Sequence, residues 1–122
     1  MDRLEHFHDT AVLIFADDGP KLDAATVNDF VSAGWSEEAS WLAVPLERLG
    51  DGFLDLSTRL AGEVIQKFTN YRMGVAFIGD IAPWTEQSKS LRDFVYESDK
   101  GAAVWFVRDT AELAARLKRR LG

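Results

Sequence analysis

The chain has 122 residues, of which 47% are hydrophobic, with a net charge of −6 at pH 7 and no cysteine. This length and apolar content predict one globular domain with a single core, which needs no disulfide or metal for stability. The missing cysteines exclude thiol nucleophiles, thiolate zinc sites and disulfides, and the acidic balance disfavours nucleic-acid binding, which needs a basic face.

The N-terminal residues and the hydropathy of the chain favour a cytoplasmic protein. Residues 1–9, MDRLEHFHD, contain no apolar segment typical of a secretory signal, and we expect them to form a flexible terminus. No apolar run approaches the ~20 residues that a membrane-spanning helix requires. We therefore expect no membrane partner, and a chain without cysteine is compatible with a reducing cytoplasm.

Apolar segments alternate with amphipathic ones, which predicts an α/β domain over residues 1–122. Four apolar segments are predicted as strands, at residues 10–15, 41–46, 74–78 and 102–107. Helices are predicted at residues 23–33 and 57–71, from Ser88 onward and from Asp109 onward. This order predicts about four mostly parallel strands, connected by right-handed crossovers and flanked by helices.

The central predicted helix, residues 57–71, has two distinct sides. Its apolar residues recur at helical spacing on one side: Leu60, Ala61, Val64, Ile65 and Phe68. Arg59, Glu63 and Lys67 lie on the other side at i,i+4 spacing, which favours weak ion pairs along the helix surface. We therefore predict a helix that buries one side on the sheet and exposes charges on the other.

Four uncommon sequence motifs follow one another from residue 53 onward: FLDLSTRLAGEVIQKFTNYR (53–72), AFIGD (76–80), SKSLRDFVYESDKG (88–101) and VWFV (104–107). Together they resemble a family of small bacterial proteins known only as a domain of unknown function. The resemblance runs from residue 53 to the C-terminus, and the N-terminal third matches weakly. The chain has Arg59 where glycine is common in that family. The resemblance implies no activity.

A looser resemblance is to the STAS fold of anti-sigma-factor antagonists. In that fold an apolar strand and a short loop precede Asp-Ser-Ser/Thr-Gly at a helix start, and here WLAVPL and ERLGDG precede Asp55, Ser57 and Thr58. The pattern departs where Leu56 separates Asp55 from Ser57 and where no glycine follows Thr58. The resemblance implies a regulatory module in which Ser57 or Thr58 is phosphorylated.

Polar and aromatic side chains concentrate at the junctions between the predicted strands and helices. The candidate ligand- or partner-binding residues are Asp55, Ser57, Thr58, Asp80, Trp84, Ser88 and Lys89. The polar residues among them also fit helix caps or turns, and Trp84 also fits simple packing over the sheet edge. Because the carboxyl ends of parallel strands meet at one edge, we expect this set to form one surface.

The leading functional hypothesis is a non-catalytic binding or regulatory module, with a protein partner or a second copy of the chain. The alternative is a small-molecule binder or a small enzyme that uses Asp80 with Glu63 or Lys89 in the same crevice. No catalytic residue is predicted. His6 and His8 form an H-x-H pair without an evident third ligand, so no metal is expected. The glycine fingerprints of nucleotide sites are absent, and no cofactor is expected.

Overall fold

The computed structural model of the protein describes residues 2–121, with side chains through Arg119. Within this range five strands form one sheet: β1 (Arg3–Phe7), β2 (Thr10–Ile14), β3 (Trp41–Pro45), β4 (Gly74–Ile78) and β5 (Val104–Val107). The strands lie in chain order, β1 is antiparallel to β2, and the other neighbours are parallel. The α/β class and the mostly parallel sheet are confirmed, with five strands instead of about four.

The additional strand, β1, lies where the sequence predicted a flexible terminus. A two-residue turn joins it to β2 at His8 and Asp9, whose φ angles are +50° and +70°. Turns with two positive φ angles match the twist of paired strands. Leu4 packs against one face of the sheet and Phe7 against the other. The remaining residues of β1 are polar, as is usual in edge strands, and this composition hid the strand from the hydropathy pattern.

The helices of the described chain divide unequally between the two faces of the sheet. They are α1 (Val27–Ser36), α2 (Leu60–Asn70), α3 (Ala82–Thr85), α4 (Lys89–Lys100) and α5 (Thr110–Leu121). Side chains of α1, α2 and α4 join the core on one face, and α5 covers the other face with Leu113 and Leu117. Trp41 and Trp105 pack on each other beneath α5, with ring centroids 4.5 Å apart.

Two helix starts differ from their predicted positions, and each has a local cause. Asp23, where the first helix was predicted to begin, accepts hydrogen bonds from the backbone N–H groups of Ala25 and Thr26 and forms a turn before α1. Leu56–Thr58 forms a separate 3₁₀ turn, and Arg59 follows in the left-handed region with a φ of +63°. Because a left-handed residue interrupts the helix, α2 begins at Leu60 and not at Ser57.

The apolar stripe of α2 faces the sheet as predicted. Ala61, Val64 and Phe68 are buried, while Leu60 and Ile65 are half-buried against the same core. The stripe therefore positions α2 over the middle of the sheet and exposes the opposite side of the helix.

A buried arginine, Arg48, holds the loop between β2 and α1. The residue is 5% exposed, and its Nε donates to the carbonyl of Pro20 at 2.7 Å. Its Nη1 donates to the carbonyls of Ala16 and Asp18, both at 3.0 Å. A β-carbon at Gly19 would lie 2.8 Å from the guanidinium carbon, so the loop closes directly onto Arg48. The sequence predicted only a loop at this position.

We expect Phe68→Ala to lower the free energy of unfolding by about 3–5 kcal/mol, because the Phe68 ring is fully buried and its removal leaves a cavity. Chemical denaturation measures the change. The adjacent exposed residue provides the control, and Thr69→Ala should change stability by less than about 0.5 kcal/mol. A loss below about 1 kcal/mol for Phe68→Ala would contradict the packing of α2 on the sheet.

We expect Arg48→Met to cost about 2–4 kcal/mol of stability, because three loop carbonyls lose their charged donor while the site stays apolar. Arg3→Met removes an exposed guanidinium and should be nearly neutral. Equal losses in the two variants would show that the loop carbonyls do not depend on Arg48.

Candidate functional site

The parallel strands of the sheet end at one edge, which we call the carboxyl edge. The chain leaves β3 through a 3₁₀ turn at Leu46–Arg48 and leaves β4 through Gly79 and Asp80 into α3. The Asp80 carboxylate accepts a hydrogen bond from the backbone N–H of Ala82 at 2.9 Å, which starts α3, and Pro83 lies in its first turn. The predicted turn-forming role of Asp80 is therefore present, and it fixes the position of the helix that carries Trp84.

Trp84 is the central side chain at this edge. It is 44% exposed and borders two neighbouring cavities of about 350 and 390 Å³. Leu46, Asp51 and Asp55 line the first cavity, and Leu46, Glu47 and Asp80 line the second. We call these residues together the Trp84 surface: Leu46, Glu47, Asp51, Asp55, Asp80 and Trp84.

The Asp55 carboxylate is held by hydrogen bonds from Ser57. Its Oδ1 accepts from the Ser57 backbone N–H at 3.0 Å and from the Ser57 hydroxyl at 2.7 Å. The side-chain bond and then the backbone bond lower the pKa of Asp55, since both favour the charged carboxylate. This contribution to stability is present at neutral pH and is lost as the pH falls through the lowered pKa. Asp55 is therefore an anion of the Trp84 surface across the physiological range.

The Thr58 hydroxyl has a structural role. It donates to the carbonyls of Gly52 at 2.7 Å and Asp55 at 2.9 Å, and it accepts from the Leu60 backbone N–H at 3.3 Å. These contacts tie the 3₁₀ turn to the start of α2. Ser57 is exposed, and its hydroxyl bonds only Asp55 among the described residues.

The predicted site residues divide into two groups. Trp84 borders one cavity with Asp55 and the other with Asp80, while Ser57, Thr58, Ser88 and Lys89 line neither cavity. Ser88 caps α4 by accepting from the Leu91 backbone N–H at 3.1 Å, and Lys89 pairs with Asp93 at 2.9 Å. The capping role predicted for Ser88 is thus present, and of the expected set Asp55, Asp80 and Trp84 line these two cavities.

The residues required by the enzyme alternative line no common cavity among those described here. Asp80 lines a cavity at the carboxyl edge, whereas Glu63 lines a groove on the outer side of α2 and Lys89 lines neither. Among the described residues, no group of three or more histidine, aspartate or glutamate side chains could hold a metal ion. No helix in that part of the chain is long and apolar enough to cross a membrane.

The sequence did not predict the groove on α2, whose volume of about 740 Å³ exceeds that of either cavity beside Trp84. The residues that line it are Ala24, Leu56, Arg59, Gly62, Glu63, Gln66, Lys67, Asn70 and Phe94. The sequence signal that could have indicated it is Gly62, a glycine on the exposed side of a helix where alanine is more favourable.

A family model described as a domain of unknown function, DUF4180, matches residues 7–117. The chain belongs to this family. The match includes β2 and β3 as well as the second half of the chain, so it extends further towards the N-terminus than the resemblance seen in the sequence. No curated protein and no solved structure matches the chain. Membership of DUF4180 therefore assigns no activity to the chain.

We expect Ser57→Ala to raise the pKa of Asp55 towards its ordinary value, because the variant loses the hydroxyl donor and keeps the backbone donor. NMR titration of the carboxyl carbon measures this pKa. Ser90→Ala removes an exposed hydroxyl from α4 and should leave the Asp55 titration unchanged. An unchanged pKa in Ser57→Ala would contradict the hydrogen bond between the two side chains.

Proposed function

We propose that this member of DUF4180 is a non-catalytic binding module of the STAS-like regulatory type, and that its working surface is the Trp84 surface. The observation that carries the proposal is the position of Trp84, which is half-exposed and borders both cavities at the carboxyl edge. An exposed tryptophan beside concave surface is the usual anchor of a protein interface, because it provides a large contact area with few rotatable bonds.

The charge of this surface indicates the chemistry of the partner. Apolar side chains such as Leu46 and Phe53 line the two cavities, and the charged residues that line them are all carboxylates: Glu47, Asp51, Asp55 and Asp80. Complementary charge speeds association and selects between partners. The proposed partner is therefore a protein segment with an apolar side chain beside lysine or arginine.

The STAS-like part of the proposal concerns Ser57. Phosphorylation of Thr58 would disrupt the hydrogen bonds that its hydroxyl makes to Gly52 and Asp55, whereas Ser57 is exposed and makes one side-chain bond. We therefore place the proposed modification at Ser57. A phosphate there would add negative charge beside Asp55 and would strengthen attraction of a cationic partner at the cost of local repulsion.

A small-molecule or enzymatic function is the weaker candidate. It would require Asp80 to share a cavity with Glu63 or Lys89, and neither residue lines the cavity that Asp80 lines. The two cavities at the carboxyl edge lie near the lower end of the size range of ligand sites in proteins, about 300–1,000 Å³.

We expect Trp84→Ala to reduce capture of the partner by at least about tenfold, because the anchor of the interface is lost. The measurement is quantitative affinity capture from a lysate of the source organism by the immobilised chain. Trp35→Ala is the matched control, since Trp35 is 52% exposed on α1 and lines neither cavity at the carboxyl edge. Asp80→Asn, which removes the charge and keeps a side-chain oxygen to accept from the Ala82 N–H, should also weaken capture, and thermal unfolding should stay nearly unchanged in both surface variants.

Higher salt should weaken capture further, because the proposed contacts are between exposed charges. A partner that Trp84→Ala retains, or that Trp35→Ala loses to the same extent, would contradict the assignment of the Trp84 surface.

A further inference from the structure

The groove on α2 is lined by the exposed side of the helix and by the half-buried side chains of Leu56 and Phe94. It shares no lining residue with the two cavities of the Trp84 surface. The groove is therefore a surface distinct from the Trp84 surface.

Gly62 indicates what kind of occupant fits. It lies in the middle of the first half of α2, is exposed, and a β-carbon added there would meet nothing within 4 Å. The fold therefore leaves room for alanine, which is more favourable than glycine inside a helix. A helix position without a side chain allows the backbone of another helix to approach closely.

The charges beside Gly62 are unpaired and arranged in alternating order. Arg59, Glu63 and Lys67 follow one another along the groove, and within the described chain none of these side chains forms a hydrogen bond or ion pair. The i,i+4 ion pairs that the sequence favoured are therefore not formed. One reason is that Arg59 is left-handed and precedes the helix, which changes the direction of its side chain.

The first two charges of this row, Arg59 and Glu63, are complementary to themselves when the direction of the helix is reversed, and Lys67 lies about one helical turn beyond them. An antiparallel second copy of α2 that crosses near Gly62 would place Glu63 opposite Arg59 of the partner subunit. By two-fold symmetry, Arg59 of the first copy would then also lie opposite Glu63 of the partner subunit.

We propose that two copies of the chain associate through this groove, with the α2 helices antiparallel, in close approach at Gly62, and joined by reciprocal Glu63–Arg59 ion pairs. The apolar borders at Leu56 and Phe94 lose water in the contact and supply its hydrophobic part. The two Trp84 surfaces remain accessible in this dimer, because their residues are not part of the groove.

Sedimentation velocity over a wide range of protein concentration tests the proposal. The unmodified chain should form dimers with increasing concentration, and Gly62→Gln should weaken association by at least about tenfold, since a long side chain blocks the close approach. The variant should fold with an unchanged or higher melting temperature, because the added side chain meets open space within the monomer. Ala115→Gln, at an exposed position of α5, is the matched control and should dimerise normally.

Charge reversal separates the ion pairs from general packing. Glu63→Arg should weaken the dimer, and the double variant Arg59→Glu with Glu63→Arg should restore it, because the reciprocal pairs form again with reversed signs. Trp84→Ala should leave the dimer intact. A chain that is monomeric at every concentration would overturn the proposal. So would a dimer that Gly62→Gln leaves unchanged, or one that Trp84→Ala abolishes.

Discussion

The strands of the sheet lie in the same order as in the chain, and the placement of the helices in this fold depends on that order. Each parallel connection adds its strand on the same side of the previous one, and right-handed crossovers then place α1, α2 and α4 on one face of the sheet. The other face would remain exposed without α5, which buries Leu113 and Leu117 over the paired rings of Trp41 and Trp105. Strand order thus explains why one helix covers a whole face.

The same order determines where functional surfaces can form. Ligand crevices of open α/β sheets occur where the strand order reverses, and this sheet has no reversal between β2 and β5. The carboxyl edge is therefore shaped by the segments into which the strands lead: the 3₁₀ turn after β3 and the short helix with Trp84 after β4. Shallow cavities around an exposed aromatic ring are suited to a protein segment more than to an enclosed small molecule.

Charged side chains have two different roles in this acidic chain. Arg48 is buried and holds the carbonyls of the β2–α1 loop, and Arg116 lies over the Trp105 ring and pairs with Asp99, which links α5 to the end of α4. The Asp55 carboxylate is exposed and held by Ser57, and Glu63 is exposed without a partner among the described residues. The buried and half-buried groups stabilise the fold, and the exposed groups are available for recognition by other molecules.

The amino-acid sequence was sufficient to predict the α/β class, β4 to the residue, the buried stripe of α2 and the caps at Asp55 and Ser88, because hydrophobic periodicity and capping are local. The folded chain was needed to show that β1 joins the sheet, that Arg48 is buried, and that Trp84 lies beside Asp55 and Asp80 while Glu63 lies elsewhere. These features depend on contacts between segments that are distant in the chain. Strand order and helix placement determine those contacts, and neither can be predicted from any single segment of the sequence.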